Sequence, residues 1–134
     1  MLRSQKLRKL GPEIDPLWLG SGWTEGDLEK PQILLDSSFG DSHPGSKHLD
    51  KLVKGAKYSI YSEGGKPSVF TVTDICDGIA TGHEGMNFSL VSRDIIASMV
   101  EIHARAMPFD GLITFSSCDK SSPGNLMALG QLKI

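Results

Sequence analysis

The sequence predicts an α/β fold, strand and helix alternating as βαβαβα around a mainly parallel sheet. Three observations predict it. Short strand-like runs occur at Gln32–Leu35 (QILL), Ser68–Val72 (SVFTV) and Gly111–Phe115 (GLITF). The segments between them carry apolar residues at the three-and-four spacing of one helical face. No hairpin signal joins one run to the next, so each connection is expected to be a right-handed helical crossover between parallel strands.

Residues 1–31 are expected to form an N-terminal arm and residues 32–134 a partial α/β domain. The stretch from Gly11 to Pro31 is rich in Gly and Pro, holds Trp18 and Trp23, and is too short to fold alone, which suits a capping arm. The basic cluster Arg3, Lys6, Arg8 and Lys9 has no apolar segment behind it and reads as a solvated arm rather than a targeting signal. After the first strand, Asp36 to Pro44 is a polar loop carrying Asp36, Asp41 and His43. Leu49, Leu52, Val53, Ala56 and Ile60 then mark an amphipathic helix, stopped by Gly64 and Gly65. The second strand empties into a polar, Gly-rich loop from Thr73 to Ser89. Ile95, Ile96, Met99, Val100 and His103 mark the next helix, with Ser92 as N-cap and Pro108 beyond its end. The third strand leads to a last helix from about Pro123, where a missing N–H costs nothing, and that helix is expected to run to Ile134 and to leave a sheet edge uncovered.

A chain of 134 residues with 39% hydrophobic and 22% charged residues has the makings of one ordinary domain. A net charge of −2 without a long basic run gives no footprint for nucleic acid, and no window approaches a membrane span. Cys76 and Cys118 lie far apart without a CxxC pattern, which fits a reduced, cytoplasmic protein.

Parallel strands place the residues that follow each of them on one edge, where ligands bind in open α/β sheets. Asp36, Asp41, His43 and His48 follow the first strand; Asp74, Cys76, Asp77, His83 and Glu84 follow the second; Cys118, Asp119 and Lys120 follow the third. Carboxylates suit a hard divalent cation such as Mg²⁺, and thiolates suit iron–sulfur clusters or zinc. Blander roles are open to the same residues. Either cysteine could be a small buried hydrophobe, and Asp119 could cap the last helix. His103, on an apolar face, reads as a satisfied core residue, His48 as solvated, and Glu101 with Arg105 as an exposed helical pair.

Longer words are more specific. Cys76-Asp77-Gly78-Ile79-Ala80-Thr81-Gly82-His83-Glu84-Gly85-Met86, followed by Phe88-Ser89-Leu90 and Ser92-Arg93-Asp94-Ile95-Ile96-Ala97, resembles a hallmark of the dihydroxy-acid and 6-phosphogluconate dehydratase family. Phe109-Asp110-Gly111-Leu112, Cys118-Asp119-Lys120, Pro123-Gly124 and Leu126-Met127 resemble its second hallmark. Lys30-Pro31, Ser38-Phe39, Pro44-Gly45 and His48-Leu49 fit the same template, so the resemblance runs from about Gly22 to the last residue.

This resemblance implies the N-terminal portion of a larger dehydratase domain that removes water from a 2,3-dihydroxy acid to give a 2-oxo acid, as in branched-chain amino-acid synthesis. It implies that Cys118 binds an iron–sulfur cluster, that Asp77 and Asp119 bind Mg²⁺, and that Lys120, as a carbamate, both binds Mg²⁺ and is catalytic. Cys76 is a second cluster candidate, ranked below Cys118, and no residue is assigned to substrate binding. Pro44-Gly45-Ser46 stands where some members carry a cluster cysteine, which favours a 4Fe–4S over a 2Fe–2S cluster. Ser37, Thr81, Val91 and Ser46 stand where Asn, Met, Pro and His are usual. The family's further cluster cysteine, remaining Mg²⁺ carboxylate and serine base fall beyond Ile134, so the chain is expected to be an N-terminal piece, inactive alone, of a homodimeric enzyme. Alternatives are a sugar-acid dehydratase fragment, a nucleotide-binding module built on Gly78, Gly82 and Gly85, and a non-catalytic remnant. The glycine spacing does not match the dinucleotide fingerprint.

Overall fold

Three parallel strands form the sheet in the order β2-β1-β3, with β1 at Gln32–Ser37, β2 at Lys66–Thr71 and β3 at Gly111–Phe115. The structure is a computed structural model, and it describes residues 1–132. The α/β class expected from the alternation is the one observed. The central strand reads QILL because both its faces are covered: Leu34 packs with Ala104 and Phe109, while Leu35 points the other way and is equally buried.

The helices are α1 (Arg3–Leu10), α2 (Ile14–Gly20), α3 (Glu25–Leu28), α4 (Leu49–Ser62), α5 (Asp77–Ala80), α6 (Ser89–Ala106) and α7 (Ser121–Gln131). On one side α4 packs against β1 and β2. On the other, α6 and α7 pack on each other around Val72, Ile96, Val100 and Ala128. A Cβ on Gly124 would stand 2.8 Å from the Arg93 carbonyl oxygen, so the glycine permits this close approach. The contact holds the start of α7, and with it the preceding Cys118–Lys120 turn, against α6.

Several boundaries differ from expectation. Strand β1 continues through Ser37, which places Asp36 inside the strand rather than in a loop. Strand β2 begins at Lys66, whose ammonium bonds Asp27 at 2.9 Å and lies 5.0 Å from the Trp23 ring centroid. Helix α6 begins at Ser89, so Ser92 is no N-cap; it is buried in the helix and donates to the Ser89 carbonyl at 2.7 Å. The loop from Thr73 to Ser89 contains α5 and a 3₁₀ turn, Glu84–Phe88. Helix α7 starts at Ser121 and stops at Gln131, with Leu132 extended; residues 133 and 134, to which the helix was expected to run, lie outside the described residues.

The N-terminal segment is more structured than its composition suggests. Thr24 and Asp27 form a capping box for α3, and Trp18 stacks on Trp23 at 4.2 Å. Lys6 and Lys9 are exposed as expected. Arg3 and Arg8 are not solvated: Arg3 donates to the Met107, Phe109 and Arg105 carbonyls, and Arg8 bonds Asp15, Glu29 and the Leu28 carbonyl. The Arg3 bonds pin the segment to the end of α6 and the loop after it, and the Arg8 bonds hold α1 to α2 and to the end of α3. Among the described residues, no helix is long and apolar enough to cross a membrane.

Asp36 is fully buried on β1, and neither carboxylate oxygen has a hydrogen-bond partner. Burial raises its carboxyl to about 7. Between the unfolded value, 3.8, and this folded value the native state holds a proton that the unfolded chain has lost, so stability falls as pH rises through that window and flattens above it. The expected fall is on the order of 4 kcal/mol. Asp36→Asn should remove that slope in urea-unfolding midpoints measured from pH 4 to pH 8, and an unchanged slope would assign it to other groups.

Candidate metal centre

The site lies where the chain leaves the three strands at their carboxyl ends. Two bonds stitch the leaving segments together: the Ser38 N–H donates to the Phe115 carbonyl at 3.0 Å, and the Ser117 hydroxyl donates to the Gly45 carbonyl. Within the β3 turn the Cys118 N–H donates to Ser121 Oγ at 3.1 Å, so the first residue of α7 fixes the thiol's backbone.

Asp77 and Asp119 converge on Lys120, whereas Cys76 and Cys118 gather with His43.

The hard pole is built around Lys120. Its ammonium donates to Asp77 Oδ2 at 2.7 Å and to Asp119 Oδ2. Asp77 is the first residue of α5, and the Ser89 hydroxyl lies 2.9 Å from each of its oxygens. Lys120, and after it Ser89, hold the Asp77 carboxyl below its ordinary value, while Asp119 and Asp77 raise the Lys120 ammonium above its own. Asp119 is mostly exposed and does not cap α7, so the bland capping role is excluded. The structure thus brings Asp77, Asp119 and Lys120 together, two carboxylates converging on one cation.

The soft pole gathers His43, Cys76 and Cys118, one from the segment after each strand, with ligand atoms all within 4.8 Å of one another. His43 is only 5% exposed, and its Nδ1 has no partner. Its Nε2 lies 3.5 Å from Asp74 Oδ2. Burial raises the Asp74 carboxyl above its ordinary value, and burial, then the nearby Asp74 and Cys76, raises the Cys118 thiol. A cleft of about 370 Å³ opens beside His43, Asp74 and Cys76, with Ile75, Ile79, Ala80 and Phe88 among its lining.

Other polar residues on the expected rim do not join. Asp36 is inside the strand; Asp41, His48 and Glu84 are exposed. His83 caps the 3₁₀ turn, its Nδ1 accepting from the Gly85 N–H at 3.1 Å. His103 packs edge-on against Phe70, but its buried Nδ1 has no partner, so it is not the satisfied core residue expected. Burial holds its imidazole below the ordinary value. Sequence reasoning placed His43 and Asp74 on the rim without giving either a role; the available signal was a histidine in the loop after the first strand, opposite both cysteine-bearing loops. The nucleotide-binding alternative fails on the helix it needs, because α5 intervenes after β2 and Ser89, opening α6, is bonded to the Asp77 carboxylate where a phosphate would sit.

Comparison with known proteins points to one family. The family model described as dihydroxy-acid/6-phosphogluconate dehydratase N-terminal matches residues 30–134. The chain is 51% identical over 113 residues to the dihydroxy-acid dehydratase of Halothermothrix orenii, covering 84% of this chain and 20% of that protein. It is 50% identical over 113 residues to that of Methanococcus maripaludis, with the same coverages, 84% and 20%. Against the dihydroxy-acid dehydratase of Methanosarcina barkeri it is 43% identical over 129 residues, 94% of this chain and 23% of the relative. The chain therefore spans about a fifth of the length of the curated relatives it matches. With the matched region holding the whole sheet and both poles of the site, this chain belongs to the dihydroxy-acid/6-phosphogluconate dehydratase family.

Proposed function

We propose that the chain contributes the metal-binding edge of a cytoplasmic, homodimeric hydro-lyase that converts 2,3-dihydroxy acids to 2-oxo acids. The observation that carries this reading is the convergence of Asp77 and Asp119 on one positive charge beside a cluster of soft ligands. The donor sets fit the family's groups: Asp77 and Asp119 would hold Mg²⁺, and Cys118, with Cys76 beside it, would hold iron of an iron–sulfur cluster of the 4Fe–4S type. When bound, Mg²⁺ would hold the substrate and stabilise charge developing at C2, and iron would act as a Lewis acid toward the departing C3 hydroxyl.

The chain's own residues prepare that site. Ser89 and Lys120 keep Asp77 ionised and oriented. Lys120 is held as an ammonium by two carboxylates. Carbon dioxide adds only to the neutral amine, with release of a proton, so a carbamate at Lys120 forms at the expense of both ion pairs and turns a cation into a ligand. Ile75, Ile79, Ala80 and Phe88 give the adjoining cleft an apolar wall, which suits a branched aliphatic acid better than a phosphorylated sugar acid.

With ¹³C-bicarbonate and Mg²⁺, a carbamate carbon resonance is expected that disappears in Lys120→Arg and falls sharply in Asp77→Asn. A resonance indifferent to both substitutions would remove Lys120 and Asp77 from the hard site. Saturation-transfer measurements should show Mg²⁺-dependent binding of 2,3-dihydroxyisovalerate, and stronger binding of 6-phosphogluconate would replace the substrate class with sugar acids.

A further inference from the structure

We infer that Cys76 and Cys118 form a reversible dithiol/disulfide pair in the cluster-free chain, oxidised by exchange with a low-molecular-weight disulfide of the glutathione class. The pair is read without any metal, so the inference goes beyond the proposed function and does not rest on it.

Proximity is the first argument. The two cysteines lie on different strand-to-helix segments, far apart in sequence, and both are free thiols. Their sulfurs nevertheless lie within 4.8 Å of each other. A disulfide closes at about 2.05 Å, so the sulfurs need to approach by less than about 3 Å in total, which side-chain rotation shared between two cysteines covers. What fixes each cysteine is its backbone. The Cys118 N–H donates to Ser121 Oγ at 3.1 Å, and the Cys76 carbonyl accepts from the Ile79 and Ala80 N–H groups at 3.1 and 3.0 Å. None of these bonds involves a sulfur, so both side chains can turn with the backbone in place.

The second argument is that the two segments are clamped together beside the thiols. Asp77, next to Cys76, accepts from the ammonium of Lys120 at 2.7 Å, and Lys120 is two positions past Cys118. The ion pair ties the segment after β2 to the turn after β3. The native chain therefore holds the thiols at an effective concentration far above the millimolar level that a flexible segment supplies, and closure to the disulfide is favoured to the same degree.

The third argument is a difference in access. Cys76 lines the cleft of about 370 Å³, and Cys118 does not, so a small disulfide entering the cleft meets Cys76 first. The Cys76 thiolate attacks one sulfur of the reagent, forming a mixed disulfide and releasing one small thiol. The Cys118 thiolate then attacks the Cys76 sulfur, closing the intramolecular disulfide and releasing the second small thiol. Two electrons pass from the protein sulfurs to the reagent, and the two protons leave with the released thiols. The reverse exchange, with excess small thiol, restores both cysteines. In the disulfide state neither sulfur is available to iron. In a reducing compartment such pairs are transient and act as redox sensors.

The test equilibrates the purified, metal-free chain anaerobically with glutathione and its disulfide at set ratios, followed by acid quench, alkylation and mass spectrometry. Circular dichroism confirms that each variant is folded. The expected product is a monomer lighter by two hydrogen atoms, with neither cysteine alkylated and a digest that links the Cys76 and Cys118 peptides. Excess reduced glutathione should return both cysteines to the alkylatable form. The equilibrium constant for closure should be at least about tenfold higher in buffer than in urea, where only the flexible chain joins the thiols. Cys118→Ser should stop at one glutathione adduct on Cys76, and Cys76→Ser should take up glutathione more slowly. Two adducts on the wild-type chain without a linkage, disulfide-linked dimers, or a closure constant in buffer no higher than in urea would overturn the inference. So would a folded Cys118→Ser chain that takes up no glutathione. Every readout is made without iron, so the proposed cluster role of Cys118 stands or falls separately, on iron incorporation.

Discussion

Supplied anaerobically with iron, sulfide and Mg²⁺, the 134-residue chain is expected to form no 2-oxo acid from 2,3-dihydroxyisovalerate at an enzyme-like rate. Among the described residues the hard pole offers two carboxylates and one lysine, and the soft pole two thiols and one imidazole. Ser89, the serine nearest the hard pole, has its hydroxyl committed to Asp77 and so is not free to take a proton from C2. Loss of a positioned base alone lowers a rate by about a hundredfold to ten-thousandfold. The base implied by the resemblance falls in the four-fifths of the relatives' length that this chain does not span. Turnover of about one to a thousand per second would show that these residues suffice and that the base lies among them.

Asp27→Ala is expected to be the most destabilising single substitution outside the hydrophobic core. Asp27 is 8% exposed and accepts from Lys66 at 2.9 Å, Lys30 at 2.8 Å and the Thr24 N–H at 3.1 Å. Lys30, then Lys66, holds its carboxyl far below the ordinary range. Removing it strips α3 of its capping box and leaves the Lys66 ammonium buried against the Trp23 and Tyr61 rings. Breaking a buried pair by deleting one partner costs about 3–5 kcal/mol, a large part of a total of about 5–15 kcal/mol. Because the folded value is depressed, this contribution is present above the unfolded value of 3.8 and is lost as pH falls below it, opposite in sign to Asp36. The urea midpoint of Asp27→Ala at pH 7 is the measurement. A loss under about 1 kcal/mol would mean that Lys66 reaches water without its partner. Asp27→Leu combined with Lys66→Met should restore most of the loss, since no buried charge then remains.

The sequence by itself determined the alternation of strands and helices, the parallel sheet and the family. These rest on local quantities: β-branched runs, three-and-four spacing, and long matched words around Asp77 and Cys118. Only the tertiary structure decided the rest. Lys66 looks like a loop residue until Asp27, thirty-nine positions earlier, accepts a hydrogen bond from its ammonium. Arg3 looks like a solvated tail until it meets carbonyls more than a hundred positions away. Asp36 looks like a rim ligand, but β1 continues past it and closes it into the sheet. His43 and Asp74 carry no motif, and what marks them is a buried nitrogen without a partner and a buried carboxylate beside it. Burial and pairing are set by contacts between residues distant in sequence, and a pattern read over a few neighbouring positions does not contain them.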